Sequence, residues 1–207
     1  LFRESTMTFG QHLEELRSRL LKAVLALAAA TVASLFFAEE AIQLLALTVG
    51  GLDKLQSIEV TENIAVFMRV GLLGGVILAM PVILYQLLRF VLPGLKPNEK
   101  RWLYAGIPLA AVFFAGGVAF AYFVMLPTAV PFLISFIDIK TTPRLSDYIS
   151  FVTNLMFWIG LCFETPLLVF LLAKLRVVTA GQLARGWRVA VVVIAVIAAV
   201  APPTVDP

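Results

Sequence analysis

The sequence predicts an all-α membrane protein, a polytopic bundle of helices that cross a bilayer. Of its 207 residues, 61% are hydrophobic and 14% are charged, whereas a soluble domain is nearer half apolar and a quarter charged. Several segments run for about twenty residues with few charges, which is the helix length that crosses a hydrocarbon core of about 30 Å. These segments lack the alternation of apolar and polar residues that is typical of strands in a membrane barrel.

Five apolar segments follow one another, and each predicts one spanning helix of a single transmembrane domain. They lie at about residues 20–37, 64–90, 102–126, 148–173 and 187–200. A polar stretch at 39–63 separates the first two, and a loop is expected after the third, where Pro127 and Pro131 occur. The fifth segment offers only about 15 residues, which is short for a full crossing. The odd number of spans suggests that a further C-terminal segment is missing.

Lysines and arginines concentrate on one side of the predicted membrane. They precede the first span, or lie at the loops between spans two and three and between spans four and five: Arg17, Arg19, Lys22, Arg89, Lys96, Lys100, Arg101, Lys174, Arg176, Arg185 and Arg188. The loops of the other side carry Lys54, Lys140 and Arg144. The positive-inside rule therefore predicts a cytoplasmic N-terminus. Because the basic residues flank apolar segments and form no single patch, nucleic-acid binding is not indicated.

The stretch HLEELRSRL at residues 12–20 places four charges directly before the first span. On a helix, its leucines form one stripe, and Glu15 with Arg19, and Glu14 with Arg17, have the spacing of ion pairs. One interpretation is an amphipathic turn at the membrane interface, stabilised by these pairs. The other is that one carboxylate binds a cationic ligand. Glu99, in a proline-rich loop predicted on the same side, would supply a second carboxylate, and arginines pair with carboxylates through charge-assisted hydrogen bonds.

Within the predicted spans, Glu164 is the acid with the clearest functional signal. A charged side chain at this depth costs of order 2.5–3.5 kcal/mol, so it is expected to face a cavity, a partner or a proton path, unless it is a structural glutamate. Gln86 is expected to form a hydrogen bond between helices, as one of the polar groups of the membrane interior. The GLLGG sequence at 71–75 predicts a close helix-packing face.

Several chemistries are not supported by the sequence. His12 is the single histidine and Cys162 the single cysteine, so neither a histidine-dependent intramembrane protease nor a histidine-rich metal site is indicated. A glycine-rich phosphate loop is also missing. We therefore expect neither an enzyme nor a cofactor. A proton-coupled transporter with Glu164 as proton carrier remains an alternative, although no internal repeat supports it, and so does a structural membrane subunit.

The sequence resembles the TatC family, the multi-spanning receptor subunits of the twin-arginine protein translocase. The resemblance rests on HLEELRSRL before span one, MPVILYQLLRFVLPGLKPNEKR through span two and its loop, and GGVAFAYFVMLPTAVPFL in span three. It continues in YISFVTNLMFWIGLCFETPLLVFLL of span four and in APPTVDP near the end. In the last motif Pro202 stands where the family usually has threonine, and Asp206 belongs to the outer turn.

The resemblance implies a receptor for signal peptides that carry consecutive arginines. Glu15 and Glu99 match the family's acids that hold those arginines, and Leu16, Arg17 and Phe90 match neighbouring signature positions. Glu164 matches the acid of a concave, glove-like groove where the single-span partners TatA and TatB dock, and Gln86 is grouped with it.

The resemblance also implies the setting in which such a receptor works. Family members have six spans, and they form multimeric complexes that export folded proteins using the proton-motive force. The expected location is a prokaryotic inner membrane or a thylakoid membrane, with the N-terminus cytoplasmic or stromal.

Overall fold

The protein folds as a bundle of α-helices, which confirms the predicted all-α fold. The structure, a computed structural model, describes residues 9–91, 97–135 and 142–174, with a few isolated positions beyond them. The helices are α1 (Phe9–Leu35), α2 (Ala38–Ala46), α3 (Glu62–Val91), α4 (Pro97–Phe120), α5 (Leu126–Ser135) and α6 (Leu145–Lys174). In the described ranges, the only strand-like pairing is an isolated bridge between Gln56 and Arg144.

Four helical stretches within the described residues are long and apolar enough to cross a membrane. They are Leu13–Leu35, Glu62–Phe90, Gly106–Ser135 and Leu145–Phe170. Large apolar side chains cover their outer surfaces, as expected for helices solvated by lipid; examples are Leu21, Val24, Leu25, Ile64, Met68, Val112, Phe123 and Phe132. The predicted fifth span at about 187–200 lies largely outside the described residues, and Asp206 lies outside them.

Two helices begin earlier than the apolar pattern predicts. α1 begins at Phe9, so the charged stretch 12–20 is the first part of the spanning helix and not a separate turn. α4 begins at Pro97, so Glu99 lies in its first turn, where a loop residue was expected. Proline is well suited to the first helical position because its missing N–H has no helical partner there, and an acid in the first turn is favoured by the helix dipole.

The stretch 39–63 is not simply a polar connection, because it contains α2. Ala38, Leu45 and Ala46 are buried on one side of this helix, and the half-buried Ile42 packs against the same core. Glu39 and Glu40 occupy the first turn, where negative charge is stabilising. The helix was missed because it is short, and because charged residues at its start obscure the apolar spacing.

The prediction of a loop directly after Leu126 is also wrong, because the helix continues to Ser135. A π-helical turn at Ala121–Met125 joins α4 to α5, and α5 runs through Pro131. Each proline removes one main-chain hydrogen bond, and Pro127 lies directly after the π-helical turn, at the second residue of α5. Neighbouring helices and local adjustments of the helix make prolines tolerable in spanning helices.

α1 lies antiparallel on α3, and three glycines bring the two main chains together. Gly71, Gly74 and Gly75 on α3 face Leu35, Ser34 and Thr31 on α1. A Cβ atom added to Gly75 would lie 2.6 Å from the Thr31 Cα and 2.8 Å from its N. The predicted close-packing role of GLLGG is therefore confirmed. The contact fixes the register of α1 along α3.

The centre of the bundle is built by α3, α4, α5 and α6. Phe114, Leu126, Ile149 and Val152 are among its most completely buried side chains. At one end of the bundle, two tyrosines hold the C-terminal end of α2. The Tyr122 hydroxyl donates to the Leu44 carbonyl over 2.9 Å, and Tyr148 donates to the Leu45 carbonyl over 2.8 Å, so the two hydroxyl groups tie the end of α2 to the rest of the bundle.

Glu62 ties together the two loops at this same end, here called the opposite face. Its carboxylate accepts main-chain hydrogen bonds from Ile58, Glu59 and Ser146 at 2.9, 3.3 and 2.6 Å. It also pairs with Arg144 over 3.2 Å. The Arg144 guanidinium reaches Glu59 as well, over 2.8 Å, and both acids raise the pKa of Arg144. The cluster joins the loop after α2 to the loop before α6.

We expect Glu62→Ala to lower the Tm of the detergent-solubilised protein by about 5 °C or more, because the change leaves several part-buried donors without their acceptor. Glu59→Ala is the matched control, since it removes the other acid that Arg144 binds. The Glu59 side chain is 63% exposed, and exposed ion pairs contribute little. Equal Tm shifts for the two variants would show that Glu62 is not the organising group.

Candidate functional site

A carboxylate and a guanidinium meet at the end of the bundle where α1 begins and α3 ends, here called the N-terminal face. The Arg19 Nη2 lies 3.1 Å from the Glu15 Oε1, one helical turn away on α1. The two side chains are 16% and 18% exposed, so the pair is largely shielded from solvent. The other carboxylate oxygen, Oε2, is buried and has no hydrogen-bond partner in the described part of the chain.

The same arginine links α1 to α3. Its Nη1 donates to the Gln86 Oε1 over 3.3 Å. This position follows from the antiparallel packing, because the glycine contacts set which turn of α3 faces which turn of α1. Gln86 therefore acts as a hydrogen-bonding group between helices, while its assignment to the groove around Glu164 stays a prediction.

The other residues predicted near Glu15 surround this pair on the two helices. Leu16 and Arg17 are exposed on α1, and Phe90 is half-buried at the end of α3. The predicted pair of Glu14 with Arg17 is not formed among the described residues, where the ion pair of α1 is that of Glu15 with Arg19. Both Glu14 and Arg17 are exposed, and exposed pairs gain too little free energy to hold two side chains in place.

Glu99 is placed on this same face by its helix. It is the third residue of α4, which begins at Pro97. Its side chain lies outside the described residues. The main chain of Glu99 nevertheless belongs to the first turn of a helix, whereas the sequence predicts a loop.

A second site lies inside the membrane-spanning part of α6. Glu164 is 2% exposed, and neither of its carboxylate oxygens has a hydrogen-bond partner in the residues that the structure describes. The main chain of Phe114 on α4 is a neighbouring polar group, but its N–H and C=O are engaged within their own helix. A buried acid without a donor is costly, so this carboxylate is suited to receive a polar group from a further helix.

Close packing of α6 against α4 encloses Glu164. Gly160 lies one turn before Glu164, and a Cβ atom added at Gly117 of α4 would lie 2.8 Å from the Gly160 Cα. The rings of Phe120 and Phe163 stack on the same contact, with centroids 5.5 Å apart. The small residues let the helices approach, and that approach removes Glu164 from solvent.

Both sites offer carboxylates that are suited to binding a polar or positively charged group. In the ranges that the structure describes, no group of three histidine, cysteine or acidic side chains is placed to hold a metal ion. The Glu15 carboxylate is already bound to a guanidinium, which shows the kind of group that its surroundings accept. The Glu164 carboxylate is buried, and the part of the chain that the structure describes provides no donor to it.

Sequence reasoning missed two features of these sites. It did not predict the hydrogen bond from Arg19 to Gln86, which joins residues 67 positions apart, and no local pattern could reveal it. It also gave Glu62 no role, although an acid at the start of a span opposite Arg144 in a neighbouring loop was an available signal.

The chain is similar to one family of membrane proteins over almost its whole length. The family model described as Sec-independent protein translocase protein (TatC) matches residues 11–207. The Sec-independent protein translocase protein TatC of Carboxydothermus hydrogenoformans is 33% identical over 206 residues, which cover 98% of this chain and 85% of that protein. The chloroplastic TATC protein of Arabidopsis thaliana is 36% identical over 208 residues, which cover 99% of this chain and 61% of that protein.

A solved structure shows the same architecture. The crystal structure of a twin arginine translocase receptor, TatC, in DDM matches with a TM-score of 0.82 at 33% identity. The match covers 94% of this chain and 89% of that chain.

We expect Gly117→Ala to lower the Tm in detergent, because the new methyl group collides with main-chain atoms of α6 and overpacking costs about 1–3 kcal/mol. Gly116→Ala is the matched control on the next residue, where an added Cβ meets nothing within 4 Å. It should leave the Tm unchanged or raise it, because alanine favours helix over glycine by about 1 kcal/mol. A Tm loss of the same size in both variants would contradict the packing described for the Glu164 site.

Proposed function

The chain belongs to the TatC family of Sec-independent protein translocase proteins, and we propose that it is a receptor subunit that binds twin-arginine signal peptides. TatC proteins are components of a transport system and not enzymes, so the function of the chain lies in recognition and assembly. The proposal has three parts: a signal-peptide site at the N-terminal face, a partner site at Glu164, and an orientation in the membrane.

The observation that carries the signal-peptide site is the Glu15 carboxylate with a guanidinium already bound to it. Arg19 lies 3.1 Å away, and the surroundings of the pair are largely closed to water. A charge-assisted hydrogen bond in such surroundings contributes about 1.5–3 kcal/mol, more than an exposed pair. A site that binds one internal guanidinium in this way has the chemistry to bind an arginine of a peptide.

Glu99 is proposed as the second carboxylate, for the second arginine of the pair. It follows Pro97 in the first turn of α4, on the N-terminal face. Leu16 and Arg17 on α1 and Phe90 on α3 are proposed to contact the peptide beside the arginines. The apolar part of the signal peptide then extends from this face along the bundle, in the groove toward Glu164.

The N-terminal face is proposed to be the cytoplasmic or stromal face. The basic residues of the described helices at this end include Arg17, Lys22 and Arg89, all exposed. In the described loops of the opposite face, the lysines and arginines are Lys54 and Arg144. This distribution agrees with the positive-inside rule. The membrane is then a prokaryotic inner membrane or a thylakoid membrane.

Glu164 is proposed as the docking point for single-span partners of the TatA and TatB type. Its carboxylate is buried without a donor in the described residues, and a polar side chain of a partner helix would satisfy it. Such interhelical hydrogen bonds in membranes contribute about 0.6–2 kcal/mol. Folded cargo is then exported by the resulting multimeric complex, at the expense of the proton-motive force.

We expect Glu15→Ala to weaken binding of an Arg-Arg signal peptide by about ten- to a hundredfold, because a shielded charge-assisted contact is lost. Glu99→Ala should weaken it in the same direction. The measurement is the Kd of a labelled peptide with the protein in nanodiscs. Glu14→Ala is the control, because it removes an adjacent, exposed acid of α1 for which the described residues provide no ion pair. Equal affinity in all four proteins would refute the proposed site.

Glu164→Gln is expected to leave the peptide Kd within about twofold of the wild-type value, because the substitution keeps the side-chain volume and lies at the contact of α6 with α4, whereas the Glu15 site lies at the contact of α1 with α3. It should impair assembly with TatA-type and TatB-type partners, measured by co-purification after reconstitution. Thr165→Ala, at the exposed neighbouring position, serves as the control. Wild-type assembly with the Glu164→Gln protein would count against a docking role.

A further inference from the structure

The proposed peptide site already contains a guanidinium of this chain, that of Arg19. One nitrogen of the Arg19 guanidinium lies 3.1 Å from the Glu15 Oε1, and another donates to the Gln86 Oε1 over 3.3 Å. The guanidinium is thus held by two helices at once. It presents to Glu15 the same chemical group that a twin-arginine peptide would bring.

Neither oxygen of the Glu15 carboxylate is both solvent-accessible and unpaired, so an incoming arginine finds no open acceptor. Arg19 binds Oε1, and Oε2 is buried, with no hydrogen-bond partner among the described residues. Two guanidinium groups on one shielded carboxylate would also leave an excess positive charge in surroundings that screen it poorly. A peptide arginine therefore has to replace Arg19 and cannot simply be added beside it.

We propose that Arg19 is an internal competitor that occupies the Glu15 carboxylate until a peptide arginine displaces it. The inference rests on the proposed function, since it assumes that Glu15 is the peptide's acceptor. Displacement and return of Arg19 conserve the charge on Glu15, so the shielded carboxylate is never left unpaired. Only the origin of the guanidinium changes.

The competition from Arg19 weakens peptide binding and favours peptide release. Arg19 is attached to the same helix as Glu15, one turn away, so its effective concentration at the carboxylate is high. It lowers the affinity for every arginine ligand by the same factor and accelerates peptide release. A lower affinity and a faster release both suit a receptor that has to release its signal peptide after binding. Gln86 supports the competitor by keeping its guanidinium oriented toward Glu15.

A purely structural role for Arg19 predicts the opposite sign. If Arg19 only positioned Glu15 for the ligand, its removal would leave the carboxylate disordered and weaken peptide binding. If Arg19 is a competitor, its removal frees the carboxylate and strengthens binding. The direction of the change in Kd therefore separates the two roles.

The experiment measures the Kd and the dissociation rate of an Arg-Arg signal peptide with the full chain in nanodiscs. Arg19→Ala is expected to tighten binding by about three- to tenfold, the range for a helical ion pair that is partly shielded, with slower dissociation. Lys22→Ala is the matched control, because it removes one exposed positive charge from the same helix without breaking an ion pair of the described residues. It should change the Kd by less than about twofold.

Two further variants keep the test decisive. The double variant Glu15→Ala with Arg19→Ala should bind like Glu15→Ala alone, because the gain requires the carboxylate. Gln86→Leu retains Arg19 and its charge but removes one of its two anchors, so it should tighten binding by a smaller factor. It provides the answer if Arg19→Ala does not fold.

The outcomes distinguish this inference from the function on which it rests. Weaker or unchanged binding in Arg19→Ala, or in Gln86→Leu where the first does not fold, overturns the competitor role while the wild-type protein still binds in a Glu15-dependent manner. A wild-type protein whose peptide binding does not depend on Glu15 overturns the proposed function and the competitor role with it.

Discussion

The close approach of α1 to α3 is the contact on which the N-terminal face depends. Among the described residues α1 packs chiefly on α3, through the glycines at 71, 74 and 75, where a Cβ at Gly75 would come within 2.6 Å of the Thr31 Cα. That contact sets the register of the two helices. The register in turn brings Arg19 of α1 to Gln86 of α3 and encloses Glu15. Without the small residues, the carboxylate would remain on an exposed helix surface, where ion pairs contribute little.

Three buried or shielded glutamates differ in how many hydrogen-bond partners their carboxylates have. Glu62 is fully satisfied by main-chain donors and Arg144, and it holds two loops together. Glu15 is half satisfied, with one oxygen on Arg19 and the other without a partner in the described residues. Glu164 has no partner there for either oxygen. The fewer the internal donors, the more the acid depends on another molecule, which matches the structural, ligand-binding and partner-binding roles argued above.

The sequence predicts the four described spans, the ion pair of Glu15 with Arg19 and the location of Glu164 within a span. Each of these depends on local spacing or on the cost of charge in lipid. The sequence does not predict a helix at residues 38–46, because the apolar face of α2 is only a few residues long. The continuation through Pro127 and Pro131 was missed, since a π-helical turn and neighbouring helices compensate for lost hydrogen bonds. The links from Arg19 to Gln86 and from Glu62 to Ser146 required tertiary structure.

A thermodynamic cycle between Glu15 and the ligand's arginines measures whether the Glu15 carboxylate recognises the arginines of the signal peptide. It compares the Kd of an Arg-Arg peptide with that of its Lys-Lys version, for the wild-type protein and for Glu15→Gln. The account predicts an arginine preference of about tenfold or more in the wild type, falling below about twofold in the variant, because only a guanidinium forms paired hydrogen bonds with a carboxylate. The same preference in both proteins would contradict the account and place arginine recognition on another group.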